Sequence, residues 1–130
     1  MRTPRDRGPA RAGGVRERAP RGVLGLAVVR GRSMEPTLEE GDRLLVRYDA
    51  VPAAGGLVLA RFADGTLAVK RAVERRALRT GEPGWWLLSD NPGEGVDSRH
   101  RGPVGEGDVR AVVLARVWPS PRLGRHLTRP

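Results

Sequence analysis

Leu57-Val58-Leu59-Ala60-Arg61-Phe62-Ala63-Asp64-Gly65-Thr66-Leu67-Ala68-Val69-Lys70-Arg71-Ala72-Val73-Glu74 is the stretch whose reading decides the fold. Two apolar runs flank Asp64-Gly65, and Asp-Gly is a favoured tight turn between antiparallel strands. The stretch predicts a hairpin of Leu57–Phe62 with Leu67–Glu74. Period-2 alternation puts Ala68, Lys70 and Ala72 on one face of the second strand, and Leu67, Val69, Arg71 and Val73 on the other. Lys70 is the only lysine among the 24 Lys and Arg residues of the chain. Where coding bias drives lysine to arginine, a retained lysine marks a place that arginine cannot serve. The clearest such place needs a neutral amine, because arginine keeps its charge and a desolvated lysine does not.

The same pattern extends outward. Val23–Val29 reads as a short apolar strand. Arg43–Tyr48 places Leu44, Val46 and Tyr48 on one face, and Val109–Trp118 does so with Val109, Ala111, Val113, Ala115 and Val117. Trp85–Leu88 is another strand, whose adjacent Trp85 and Trp86 are expected to point one into the core and one outward. Glu40-Gly41-Asp42, Pro52–Gly56 and Thr80–Gly84 are turns. Pro36 disfavours helical geometry at Glu35, so any helix near Met34–Glu39 is brief. Many short strands joined by Gly/Pro turns predict a mainly β domain, a barrel or coiled sheet with little helix. The polar loop Ser89–Glu106 stands out, since long structureless loops in small domains are usually functional or disordered. Its Asp90, Asn91, Asp97, Ser98 and Arg99 look like an organised polar network.

At 130 residues the chain is expected to be one domain with one modest core. Cysteine is absent, which excludes disulfides and thiol catalysis. With only His100 and His126, a Cys/His zinc site is excluded as well. The net charge of +9 is unevenly placed. Residues 1–21 carry seven arginines against Asp6 and Glu17, and residues 119–130 add Arg122, Arg125 and Arg129 without an acid. The expected organisation is a disordered Arg/Pro/Gly-rich tail at 1–21, a domain at 22–118 and a basic C-terminal tail at 119–130. Basic arms can contact nucleic acid or anionic membrane. Aromatics are only 4%, however, so stacking on bases is poorly supported. The longest apolar run, Gly22 to Val29, falls short of the roughly 20 residues of a spanning helix, and Arg30-Gly31-Arg32 interrupts it. A cytoplasmic protein without a membrane anchor is expected.

Ser33 lies in Gly31-Arg32-Ser33-Met34-Glu35-Pro36-Thr37-Leu38. A nucleophilic serine needs exposure, backbone N–H groups for an oxyanion and a base in reach. Gly31 permits close substrate approach because it has no side chain. Taken alone, such a serine can simply cap a helical turn. Lys70 has small neighbours in Ala68 and Ala72, which leave room for a substrate to cover it. Burial would lower its pKa from about 10.4, and a neutral amine could take the proton of Ser33. The plainer alternative is an exposed strand lysine.

Joined together, these residues resemble the serine–lysine proteases of the type I signal peptidase family. Ser33-Met34-Glu35-Pro36-Thr37-Leu38 followed by Gly41-Asp42 is similar to that family's nucleophile box. Ala68-Val69-Lys70-Arg71 is similar to its base box. Asp90-Asn91 followed by Asp97-Ser98-Arg99 is similar to its third. The three come in the family's order across residues 23–118. The resemblance implies a signal-peptidase-like coiled β-sheet, with Ser33 as nucleophile, Lys70 as general base and no cofactor or metal. It implies an oxyanion and substrate pocket at Gly31, Ser33 and Met34, the Ser33 N–H helping to bind the oxyanion. Asp97 and Arg99 would form a structural ion pair beside Ser98, and Arg71 could join through Asp90. Two departures matter. Ser89 stands where the third box usually has glycine, and Gly95 stands where it usually has the serine that orients the lysine. That leaves Lys70 to another hydroxyl, to water or to packing.

Gly41-Asp42-Arg43-Leu44-Leu45-Val46-Arg47-Tyr48, Val69-Lys70-Arg71-Ala72 and Trp85-Trp86-Leu87-Leu88 further resemble the nickel-type superoxide dismutase maturation proteases. That resemblance implies a partner, the dismutase precursor, whose N-terminal leader would be removed. Two rivals stand beside it. A self-cleaving repressor-type protease also pairs a Ser-Met box with a Val-Lys-Arg strand, but it usually lacks Pro-Thr-Leu and Asp-Ser-Arg. A non-catalytic nucleic-acid-binding module would use only the arginine arms.

Overall fold

The computed structural model describes residues 22–129. The expected disordered tail at 1–21 lies outside the described residues, as does Pro130. The hairpin forms as β3 (Leu57–Arg61) and β4 (Leu67–Arg75), with Leu57 opposite Arg71 and Arg61 opposite Leu67. Its turn closes through Phe62 N–H to Thr66 O at 2.8 Å and Gly65 N–H to Phe62 O at 2.8 Å. Gly65 adopts φ +89°, a left-handed backbone that L side chains resist, which is why glycine follows Asp64 there.

The rest of the sheet is built on both sides of this hairpin. On one side β5 (Gly84–Leu88) pairs with β4, and the two-residue β6 (Val104–Gly105) pairs with β5. On the other side β7 (Val109–Trp118) pairs with β3, β2 (Arg43–Tyr48) pairs with β7, and β1 (Leu24–Val28) forms the edge. Every neighbouring pair is antiparallel, in the order β1-β2-β7-β3-β4-β5-β6, and β8 (Arg122–Leu123) pairs off β7. Register shifts interrupt the β2–β7, β3–β7 and β4–β5 ladders. Such irregularities bend and twist strands, and this sheet curls into a half-barrel. The expected mainly β architecture is what forms.

Burial explains why the central strands read as nearly continuous apolar runs. Leu57 and Val69 pack into a core with Met34, Leu38, Leu44 and Val46. Val58, Ala60 and Ala72 pack into a second cluster with Trp85 and Leu87. Adjacent positions of one strand thus face different apolar clusters. Trp85 is core, while Trp86 is half-buried beneath the Arg76 guanidinium, 3.9 Å from its ring centre. No helix forms at Met34–Glu39, only successive turns. The one α-helix among the described residues, α1, is a single turn at Ser98–Arg101 inside the long polar loop. No described helix is long and apolar enough to cross a membrane.

The C-terminal segment departs from what its basic composition suggested. Beyond Trp118 the chain pairs β8 with β7, makes a 3-10 turn at Gly124–His126 and buries Leu127 in the first core. The Arg71 guanidinium donates to Leu127 O at 2.7 Å. The exposed arginines masked this anchor, because one apolar residue leaves no periodic signal. Leu127→Ala is expected to destabilise the protein by about 3 kcal/mol in urea unfolding, as large-to-small core changes do. A peripheral tail would give no measurable loss.

Candidate active site

Lys70 sits in the middle of β4 and Ser33 in the turn that follows β1. Lys70 Nζ lies 3.1 Å from Ser33 Oγ and 3.0 Å from Ser89 Oγ. Lys70 is 2% exposed, so the alternative of a solvated strand lysine does not hold. Burial lowers its pKa from the ordinary lysine value. The Asp97 charge opposes that shift and the Arg99 charge adds to it.

Arg71, next along β4, faces the opposite way and is equally buried. Its Nε donates to Asp90 Oδ1 at 3.2 Å, and its Nη2 forms the ion pair with Asp90 Oδ2. Its Nη1 donates to Gly55 O at 2.9 Å as well as to Leu127 O. Thr37 of the nucleophile turn donates to Asp90 Oδ2, and the Asp90 N–H reaches Met34 Sδ at 3.4 Å. One carboxylate therefore links β4, the segment after Ser33 and the loop after β5. Met34 itself is buried while still lining the cleft.

Asp97 caps α1 and is fully buried. It accepts from Arg99 N at 3.0 Å, Arg99 Nε at 3.1 Å, Arg99 Nη2 at 2.9 Å and Ser89 N at 2.9 Å. Burial alone would raise its pKa. The Arg99 side chain, the backbone donors of Ser89 and Arg99 and the Arg99 charge outweigh that, holding it at about 2. Ser98 is buried too, its Oγ accepting from Leu87 N at 2.9 Å. These bonds fasten the loop to the end of β5. Asn91 fastens its other end, donating N–H to Ser33 O at 2.9 Å and Nδ2 to Arg32 O at 3.0 Å.

The dyad opens onto a cleft of about 420 Å³. Its walls include Val28 to Met34 on one side, Leu67 to Lys70 on another, and Glu94 to Val96 of the loop. Gly31 is exposed there, with φ +76° and nothing within 4 Å of where a Cβ would stand. The site residues read from the sequence thus fall into two groups. Gly31, Ser33, Met34 and Lys70 meet at the cleft, while Arg71, Asp90, Asp97, Ser98 and Arg99 brace the loops behind it. Sequence reasoning gave Thr37 no role of its own within its box, and it missed the two carbonyls on Arg71 because carbonyl acceptors carry no residue signature. Ser89 had a signal, since serine replaced the resembled family's glycine there.

The curled antiparallel sheet is consistent with a signal-peptidase-like β fold. The chain belongs to the Peptidase S24-like family, whose model matches residues 17–100, well over half of the chain. It is also similar to the mitochondrial inner membrane protease subunit 1 of Schizosaccharomyces pombe, 53% identical over 36 residues. That match covers 28% of this chain and 23% of the yeast protein, so the chain spans under a quarter of that relative.

Asp97 supplies a stability test. Its folded pKa of about 2 lies below the unfolded value near 3.9, so its contribution is complete above about pH 5 and is lost as pH falls through 2. The shift corresponds to about 2–3 kcal/mol. Unfolding free energies from urea titrations are expected to drop by that order between about pH 5 and 2, and Asp97→Asn to lessen that drop.

Proposed function

We propose that this protein is a serine endopeptidase with Ser33 as nucleophile and Lys70 as general base. One observation carries the reading: the only lysine of the chain is buried with its Nζ 3.1 Å from Ser33 Oγ. The neutral amine takes the hydroxyl proton as Oγ bonds to the scissile carbonyl carbon. The Ser33 N–H helps hold the resulting oxyanion. The Lys70 ammonium then gives its proton to the leaving amine as the C–N bond breaks, leaving an acyl ester on Ser33. Water, deprotonated by the same amine, hydrolyses that ester. An extended substrate would lie in the cleft between the chain leaving β1 and the start of β4. Among the described residues β1 is an edge strand with no partner strand on its outer side, where a substrate strand could pair.

The substrate we propose is the N-terminal leader of a nickel superoxide dismutase precursor. The segments at 41–48 and 85–88 support this, through their resemblance to proteases of that maturation step. The catalytic domain would be residues 22–118, completed by the segment to Leu127. The test is incubation with that precursor, reading the product's new N-terminus by mass. Ser33→Ala and Lys70→Arg are each expected to abolish cleavage, by at least about 10³-fold, with circular dichroism unchanged. Normal activity in Lys70→Arg would sink the mechanism, because arginine keeps the charge and loses the titratable amine.

The pH dependence follows from the same group. Only neutral Lys70 accepts a proton, so the rate should rise with pH through its lowered pKa. A profile flat from about pH 6 to 9, with chemistry rate-limiting, contradicts a lysine base titrating in that range.

A further inference from the structure

We infer that Ser89 is the positioning residue that aims the Lys70 amine at Ser33. This role rests on Lys70 being the base. A lysine amine sits on four rotatable bonds, and a neutral amine can take a proton only along its one lone pair. Aiming that pair at Ser33 Oγ requires an N–H to be held elsewhere. Ser89 Oγ, 3.0 Å from Nζ, is the acceptor placed to hold it.

Ser89 is itself buried and fastened. It is 3% exposed and follows the last residue of β5. Its N–H is bonded to Asp97, whose carboxylate is in turn gripped by Arg99. The Asp97–Arg99 pair thereby acts on the amine through Ser89.

Gly95 packs against the same two residues. A Cβ there would stand 2.9 Å from Ser33 Cβ, 3.4 Å from Lys70 Nζ and 3.7 Å from Ser33 Oγ, on a backbone at φ +73°. No real Cβ tolerates the first distance, and an L side chain resists that φ. The loop backbone therefore presses directly on the dyad, and position 95 has no room for a hydroxyl-bearing side chain. The orienting hydroxyl has to come from elsewhere, and Ser89 supplies it. The charged groups that act on Lys70 are Asp97 and Arg99, with Asp64, Glu94 and Arg101 along the same cleft.

Two readouts test this. The first is hydrolysis of an internally quenched peptide that spans the leader junction of the dismutase precursor. Ser89→Ala is expected to lower kcat at least tenfold with KM within twofold, and Ser89→Thr to recover most of the loss. The second uses the lysine itself. Labelled with 13C-lysine, the protein gives one Cε signal, whose pH titration reports Lys70 alone. Ser89 accepts more strongly from the ammonium than from the amine. Adding Ser89→Ala to inactive Ser33→Ala should therefore move the titration midpoint to lower pH.

A parental kcat in Ser89→Ala, or an unmoved midpoint, overturns the positioning role. Should Ser89→Ala melt below the assay temperature, near-isosteric Ser89→Cys, a weak acceptor, carries the same two readouts. Lys70→Arg separates the two levels. If it still cleaves, the base assignment falls. If it is dead while Ser89→Ala runs at the parental rate, only the positioning role falls.

Discussion

Two neighbouring cations buried in one strand constrain everything else in this protein. Lys70 and Arg71 point to opposite faces of β4, and each is 2% exposed. Removing a charge from water costs several kcal/mol unless it is paired or discharged. Arginine cannot discharge, so Arg71 needs a carboxylate and carbonyls, and it finds Asp90, Gly55 O and Leu127 O. Lysine can discharge, and Lys70 is given hydroxyls rather than a contacting carboxylate. The same desolvation yields a structural ion pair on one face and a candidate base on the other.

The polar loop after β5 serves both faces at once. Asp90, at its start, completes the Arg71 pair, and Asp97, near its end, fixes the Ser89 backbone. Asn91 binds the backbone around Ser33. Residues 89–97, the irregular chain between β5 and α1, are thereby held by carboxylates and amides instead of a sheet ladder. The loop can approach the dyad so closely because Gly95 has no side chain there. Order in the site thus comes from satisfied buried polar groups, which penalise any arrangement that leaves one unpaired.

The legible parts of the fold were the strands with strong local signals. Arg43–Tyr48 and Val109–Trp118 form over the residues their alternation indicated, and the Asp64-Gly65 hairpin forms with its ends moved by one residue. α1 and β6 were not legible. Each spans four residues or fewer, too short for any periodicity, and each exists because the loop is tied down around it. The integration of residues 119–127 was hidden for a similar reason. Its anchor is one leucine and one carbonyl among solvated arginines.

By itself the sequence determined the mainly β character, the hairpin and the residue types able to do serine–lysine chemistry. Alternation, turn propensity and side-chain titration are local properties, and they survive in a string of letters. Only the tertiary structure decided that β7 inserts between β2 and β3, because strand order depends on long-range pairing. Only it brought Ser33 within 3.1 Å of Lys70 across 37 residues of chain. And only it placed Ser89 Oγ 3.0 Å from Lys70 Nζ and left no room for a Cβ at Gly95, since distance and clearance are properties of folded space.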